Sequence, residues 1–149
     1  MGRELRRVPA NWKHPQDSYG KYIPMYNESY AAALAEWLKN NDLWSKREHP
    51  EQDSDYKYYA EYGGDAPCVS SYLPYDPKDA ELCTHFQGYE TTTEGTPITP
   101  VFSTIDECAE FAAEHATTFA EFKADKAKWM AIFGAGDIEM HRMGNIIFI

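Results

Sequence analysis

The stretch Leu82-Cys83-Thr84-His85-Phe86-Gln87-Gly88-Tyr89-Glu90-Thr91-Thr92-Thr93, followed by Glu94-Gly95-Thr96-Pro97, decides how this chain is read. Its β-branched and aromatic residues at strand spacing predict a strand over 82–93, and residues 94–97 supply a turn. Pro97 and Pro100 each disfavour helix in the residue before them, so Ile98, Val101 and Phe102 are expected to continue in extended form. Thr104 then has the character of a helix N-cap. Glu107, three residues on, completes a capping box, and Phe102 is placed to pack on the first turns. A helix is predicted over 105–116, with Ile105, Cys108, Phe111 and Ala112 on one face. A second is predicted over 118–133, burying Phe119, Phe122, Trp129, Met130 and Phe133, with Gly134-Ala135-Gly136 as its stop.

Upstream, residues 3–26 interleave Pro9, Pro15, Gly20 and Pro24 with Val8, Trp12, Tyr19, Tyr22, Ile23 and Tyr26. Proline breaks the segment too often for a helix, yet it is rich in packing groups, so an ordered extended wrap is expected. From Tyr30 the spacing turns helical through Leu34, Trp37, Leu38 and Leu43. Asn27 or Ser29 is the candidate cap, with weakening expected at Asn40 to Asp42 and an end by His49. Residues 51–81 are acidic and tyrosine-rich. A short helical or extended piece is expected near Tyr56 to Tyr62, before Gly63-Gly64, and then a loop. The tyrosines there suit half-buried packing with wet hydroxyls, and they also offer a face to a partner. The tail, Asn145 to Ile149, reads as a buried strand. These elements make an α+β fold: a small antiparallel or mixed sheet packed against about three amphipathic helices, with an extended N-terminal segment. A length of 149 residues fits a single domain over 1–149.

The charge balance narrows the function classes. Lys and Arg number 14 against 24 Asp and Glu, a net charge of −10, which argues against direct nucleic-acid binding because phosphate neutralisation needs an excess of cations. The imbalance is uneven: residues 1–27 carry +3 and residues 28–149 carry −13, a basic N-terminal segment on an acidic body. Cys68, Cys83 and Cys108 are odd in number and widely spaced, which supports neither a disulfide framework nor a zinc knuckle and fits a reducing cytosol. No stretch approaches the roughly 20 apolar residues of a membrane span, and the basic start runs into Pro9 where a secretory signal would need an apolar core. A cytoplasmic location, away from membranes, is the expectation.

On the predicted strand, a period of two sets His85, Gln87 and Tyr89 on one side and Phe86, Gly88 and Glu90 on the other. An imidazole, an amide and a phenol in a row can recognise a base, a peptide carbonyl or a carboxylate. A polar sheet face in solvent or under a loop is the simpler explanation of the row, since the sequence fixes no paired catalytic group. Candidate ligand or partner contacts are therefore His85, Gln87, Tyr89, Glu90, the turn residue Glu94, and Trp12 and His14 of the wrap. No catalytic residue, metal site or cofactor is assigned. Cys83 beside His85 lacks a third group that would complete a thiol machinery. Glu110, Glu114 and His115 share a helix without a metalloprotease spacing. Gly134-Ala135-Gly136 lacks the flanking strand and helix of a dinucleotide loop.

The opening Arg3-Glu4-Leu5-Arg6-Arg7-Val8-Pro9 with Asn11-Trp12 and His14-Pro15, the stretch from Tyr22 to Tyr26, and the block from Thr84-His85-Phe86-Gln87 through Glu94-Gly95-Thr96-Pro97-Ile98 to Pro100 resemble a family of small uncharacterised bacteriophage and prophage proteins. The resemblance implies a viral origin and brings no activity, catalytic residue or cofactor with it. Together with the charge, it leads to the expectation of a phage accessory protein that binds a host or phage protein complex. Inhibition of a nucleic-acid-dependent bacterial defence system through an acidic aromatic surface is the leading reading, so binding is expected ahead of catalysis. A small-ligand binder or enzyme built around His85, Gln87, Tyr89 and Glu90 is the second class. A virion structural or packaging component is the third, with self-association as its sign.

Overall fold

A computed structural model describes residues 2–118 and 123–134. Its elements are β1 (Arg3–Val8), β2 (Tyr26–Ser29), α1 (Tyr30–Ser45), α2 (Tyr59–Gly63), β3 (Tyr72–Leu73), β4 (His85–Glu90), β5 (Thr96–Pro97), α3 (Ile105–His115) and a further helix, α4, over 126–134. The fold is α+β. A three-stranded antiparallel sheet has the order β1-β4-β5, and β2 pairs with β3 in a second, parallel two-stranded sheet.

β4 is shorter at both ends than the strand read from sequence. Before it, the Asp79 carboxylate accepts the backbone N–H groups of Glu81 and Leu82, and Cys83 N–H reaches Asp79 O, so residues 79–83 turn rather than extend. After it, Glu94 N–H closes a turn on Thr91 O. Glu94 and Gly95 both take positive φ, +68° and +110°. Gly95 is required here: a Cβ would collide with the Met25 carbonyl oxygen and the Arg6 guanidinium, and Met25 N–H donates to Gly95 O at 3.0 Å. The tip of the hairpin is thereby fastened to the wrap. Downstream of β5, Ile98 N–H donates to Gly88 O, and Phe86 and Phe102 exchange both backbone bonds at 2.8 Å. Pro97 and Pro100 cannot donate, and the Thr99 hydroxyl accepts Gly88 N–H in place of a backbone carbonyl.

The β1–β4 register sets Leu5 opposite Gly88 and Arg6 opposite Gln87, so the two faces of the sheet carry different chemistry. Leu5 and Phe86 join Cys108, Ala109 and Ala112 of α3 and Trp129 and Phe133 of α4 in the main core. Small residues on α3 allow the close approach, and Gly88 leaves room for Phe133, whose ring edge would stand 2.8 Å from a Cβ there. α3 is capped as predicted: Glu107 N–H donates to the Thr104 hydroxyl, and the Thr104 and Ser103 hydroxyls both donate to the Glu107 carboxylate at 2.9 Å. The helix predicted over 118–133 differs. Residues 123–125 are not helical, and Asp125 caps α4 through Lys128 N–H; residues 119–122 lie outside the described residues, as does the strand predicted at 145–149.

Ser29, one of the two candidate caps, starts α1 by accepting Ala32 N–H. The helix runs through Asn40 to Asp42 without a break, since Asn40 Nδ2 donates to Glu36 O and its oxygen bonds the His49 ring. Of the predicted face, Tyr30, Leu34, Trp37 and Leu43 are half-buried. Leu38 is not, being 51% exposed, and Trp44 is the buried anchor instead. α1 packs chiefly on β2, β3 and α2 rather than on the three-stranded sheet. Trp44 stacks on Tyr62 at 4.8 Å, approaches Tyr59 and His49, and donates its indole N–H to Tyr56 O. The tyrosine-rich segment is thus built onto the end of α1 by aromatic packing.

Candidate functional site

The second face of the β1–β4 pair carries Arg6, Gln87 and Tyr89 under residues 9–25, and here the buried polar groups of the chain gather. Arg6 is 2% exposed, Gln87 6% and His14 7%. Such burial calls for hydrogen bonds; the wrap supplies some of them and Glu4 and Thr99 others, while Arg6 Nη1 is left without a partner among the described residues. The Tyr89 hydroxyl is the hub, 3.1 Å from Trp12 Nε1, 2.8 Å from His14 Nδ1 and 3.1 Å from Gln87 Oε1.

Chemistry orders the protons. His14 Nε2 stands 2.6 Å from the Ile23 carbonyl, which can only accept, so Nε2 carries a proton. In the neutral ring Nδ1 is then an acceptor, so the one proton of the Tyr89 hydroxyl is shared between two acceptors, His14 Nδ1 and Gln87 Oε1, while Trp12 N–H donates to the Tyr89 oxygen. Gln87 is oriented by its Nε2 donating to Thr99 O at 2.8 Å. The Arg6 guanidinium lies 4.0 Å over the Tyr89 ring, with Nε donating to Glu4 and Nη2 to Met25 O. Burial, aided by the Arg6 charge and opposed by the Ile23 bond, holds His14 below its ordinary 6.5. Burial also pushes the Tyr89 phenol up to about 12. Both groups are neutral at pH 7 and rigidly oriented, so they hold a shape rather than supply a charge.

That shape is an open cleft of about 490 Å³ between the wrap and the segment after β5. Trp12, His14, Tyr22 and Gln87 line it with Lys13 and Pro100. Trp12 and Tyr22 each meet the His14 ring edge to face, at 5.9 and 5.6 Å.

Of the residues singled out from sequence, Trp12, His14, Gln87 and Tyr89 converge. The other three stand apart. His85 is half-buried at the start of β4 and bonds the Thr84 hydroxyl. Glu90 lies on the opposite sheet face, 3.6 Å from Arg3, and accepts the Thr96 hydroxyl. Glu94 sits exposed at the hairpin tip. A polar row along one strand face is therefore corrected to a cluster drawn from distant parts of the sequence, in which the wrap covers Gln87 and Tyr89 while His85 stays outside. Arg6, Lys13 and Tyr22 were not singled out. Their signal was the alternation of β1 and the aromatic content of the wrap, and neither reveals a partner without the strand register.

The thiols are separate from this cluster. Burial pushes both Cys83 and Cys108 up to about 11, and Cys83 Sγ donates to Asp76 O, so Cys83 is not an activated nucleophile for His85 to assist. Among the described residues, no group of three or more His, Cys, Asp or Glu is arranged to hold a metal, and no helix is long and apolar enough to cross a membrane. Comparison with family models, with curated proteins and with solved structures gave no match to this chain.

Proposed function

We propose that this protein acts by binding a macromolecule through the acidic, tyrosine-bearing face of residues 48–65, as a phage accessory protein directed against a nucleic-acid-dependent bacterial defence complex. One observation carries the reading: Glu48, Glu51, Asp55, Glu61 and Asp65 are all exposed there beside Tyr56, Tyr58 and Tyr62, which are 38%, 60% and 39% exposed. Tyrosine supplies contact area with little entropy to lose, and exposed carboxylates in the same segment steer a basic surface toward it. Trp44 supports the face from below, so it is held in shape before a partner arrives. The basic surfaces of nucleic-acid-binding complexes have the complementary charge. The viral setting rests on the sequence resemblance alone.

The test is affinity capture of the tagged protein from infected bacterial lysate at low and high salt, beside a Glu51→Lys, Asp55→Lys, Glu61→Lys variant. Stoichiometric recovery of a basic complex that weakens with salt and is lost in the variant is the expected result. Capture that ignores both salt and the charge reversal, or recovery of the bait alone, would overturn the proposal.

A further inference from the structure

The cleft beside His14 shares no residue with the acidic face, and its chemistry is different. Its walls are aromatic, from Trp12 and Tyr22. Its floor contains His14 and Gln87, both more than nine-tenths buried and both tied to the Tyr89 hydroxyl. Among the described residues, Lys13 at the rim is the one lining residue with a permanent charge, and no carboxylate lines the cleft. Lys13 also takes part in none of the ion pairs among the described residues. In a chain of net charge −10, a concavity lined by an unpaired cation and no anion is a local reversal of sign.

The volume lies within the range of roughly 300 to 1,000 Å³ typical of small-molecule sites. Flat aromatic walls favour a flat ligand. A lysine free of carboxylate partners favours an anionic one, since an exposed ammonium pairs with an incoming carboxylate or phosphate with no internal bridge to break. We propose that this cleft is a binding site for a planar aromatic anion, a ring carrying a carboxylate or phosphate, with the ring between Trp12 and Tyr22 and the anionic group on Lys13. The Tyr89 hub serves the site indirectly. By fixing the Trp12 indole, the His14 ring and the Gln87 amide from behind, it presents a preorganised wall, so little side-chain ordering remains for the ligand to impose.

The experiment titrates the full chain with AMP and with benzoate, each beside its uncharged counterpart, adenosine and benzamide. The readouts are the Trp12 indole N–H resonance and tryptophan fluorescence. A saturable shift of the Trp12 resonance by at least one anion is expected, with the uncharged counterpart weaker by about twofold to fivefold, the upper part of the range of one exposed charge pair. AMP binding alone would identify a phosphate-bearing ligand, and benzoate alone a carboxylate-bearing one. Lys13→Glu, an exposed substitution with no ion-pair partner to lose among the described residues, should abolish the preference for the anion. Lys57→Glu, on the acidic face, should leave it unchanged. Absence of saturation by either anion below about 5 mM, a value already weaker than ordinary metabolite sites, would overturn the proposal. Equal affinity for charged and uncharged partners, or an unaltered preference in Lys13→Glu, would overturn it as well.

Discussion

Replacing Tyr89 by Phe keeps the ring under the Arg6 guanidinium and removes one oxygen, so it isolates what the hub hydroxyl contributes. That oxygen accepts from Trp12 Nε1 and stands within bonding distance of His14 Nδ1 and Gln87 Oε1. Without it, the indole N–H and the imidazole Nδ1 each lose the only bond found for them, one half-buried and the other buried. Leaving a buried polar group unpaired costs about 1–3 kcal/mol, and the Trp12 donor belongs at the low end, so a loss of about 2–4 kcal/mol is expected. With a urea slope near 2 kcal/mol per M for a small protein, the unfolding midpoint should fall by about 1–2 M. Tyr75 is the internal control. Its hydroxyl is buried with no hydrogen-bond partner among the described residues, and its ring packs on Trp12 at 5.0 Å. Tyr75→Phe removes an unpaired group and should be neutral or stabilise by up to about 1 kcal/mol. A Tyr89→Phe midpoint within about 0.3 M of the parent, or equal losses in the two variants, would refute the hub assignment.

Acidification should act through His14, which faces Arg6 of β1, Tyr89 of β4 and Tyr22 of the wrap. Its folded value lies below 6.5, so the unfolded chain takes up the proton first; stability falls as pH drops through 6.5 and levels off once the folded ring is also protonated. Urea midpoints across about pH 5 to 7.5 should show this slope, at most about 1.4 kcal/mol per pH unit for one proton, and His14→Gln should flatten it. Gly95→Ala combines a φ of +110° with a Cβ driven into Met25 O, and a loss of about 2–4 kcal/mol in thermal or urea unfolding is expected. The same change at Gly20, with φ of +77° and open space around it, should cost about 1 kcal/mol. Trp44→Ala removes the stack on Tyr62 and the bond to Tyr56 O, so limited proteolysis should cut within residues 46–65 well before the three-stranded sheet is attacked.

What the sequence by itself determined about this protein is local. Thr104 and Glu107 are three residues apart, so their capping box forms within one helical turn and is readable as such. Ser29 before α1 and the Glu94-Gly95 turn after β4 are local for the same reason, since cap and turn chemistry involves only near neighbours. The alternation of β4 separated Gln87 and Tyr89 from Phe86 and Gly88 correctly, because a strand has a period of two wherever it is placed. Where that reading stopped short, a competing local signal was stronger. The Asp79 turn consumed the residues expected to open the strand, and Asp125 started α4 later than its apolar spacing suggests.

Only the tertiary structure decided what each strand face meets. His14 and Tyr89 are 75 residues apart, and Arg6 meets Met25 and Tyr89 only because β1 pairs with β4 in one register. A shift of one residue would send Arg6 into the apolar core and Leu5 under the wrap. Side-chain periodicity names two faces without saying which is covered, or by what. The cover here is an irregular, proline-broken segment with no period to read. The cleft, the Tyr89 hub and the placing of Lys13 at its rim are products of that long-range pairing, whereas the acidic tyrosine face needed only Trp44 and its near neighbours to take shape.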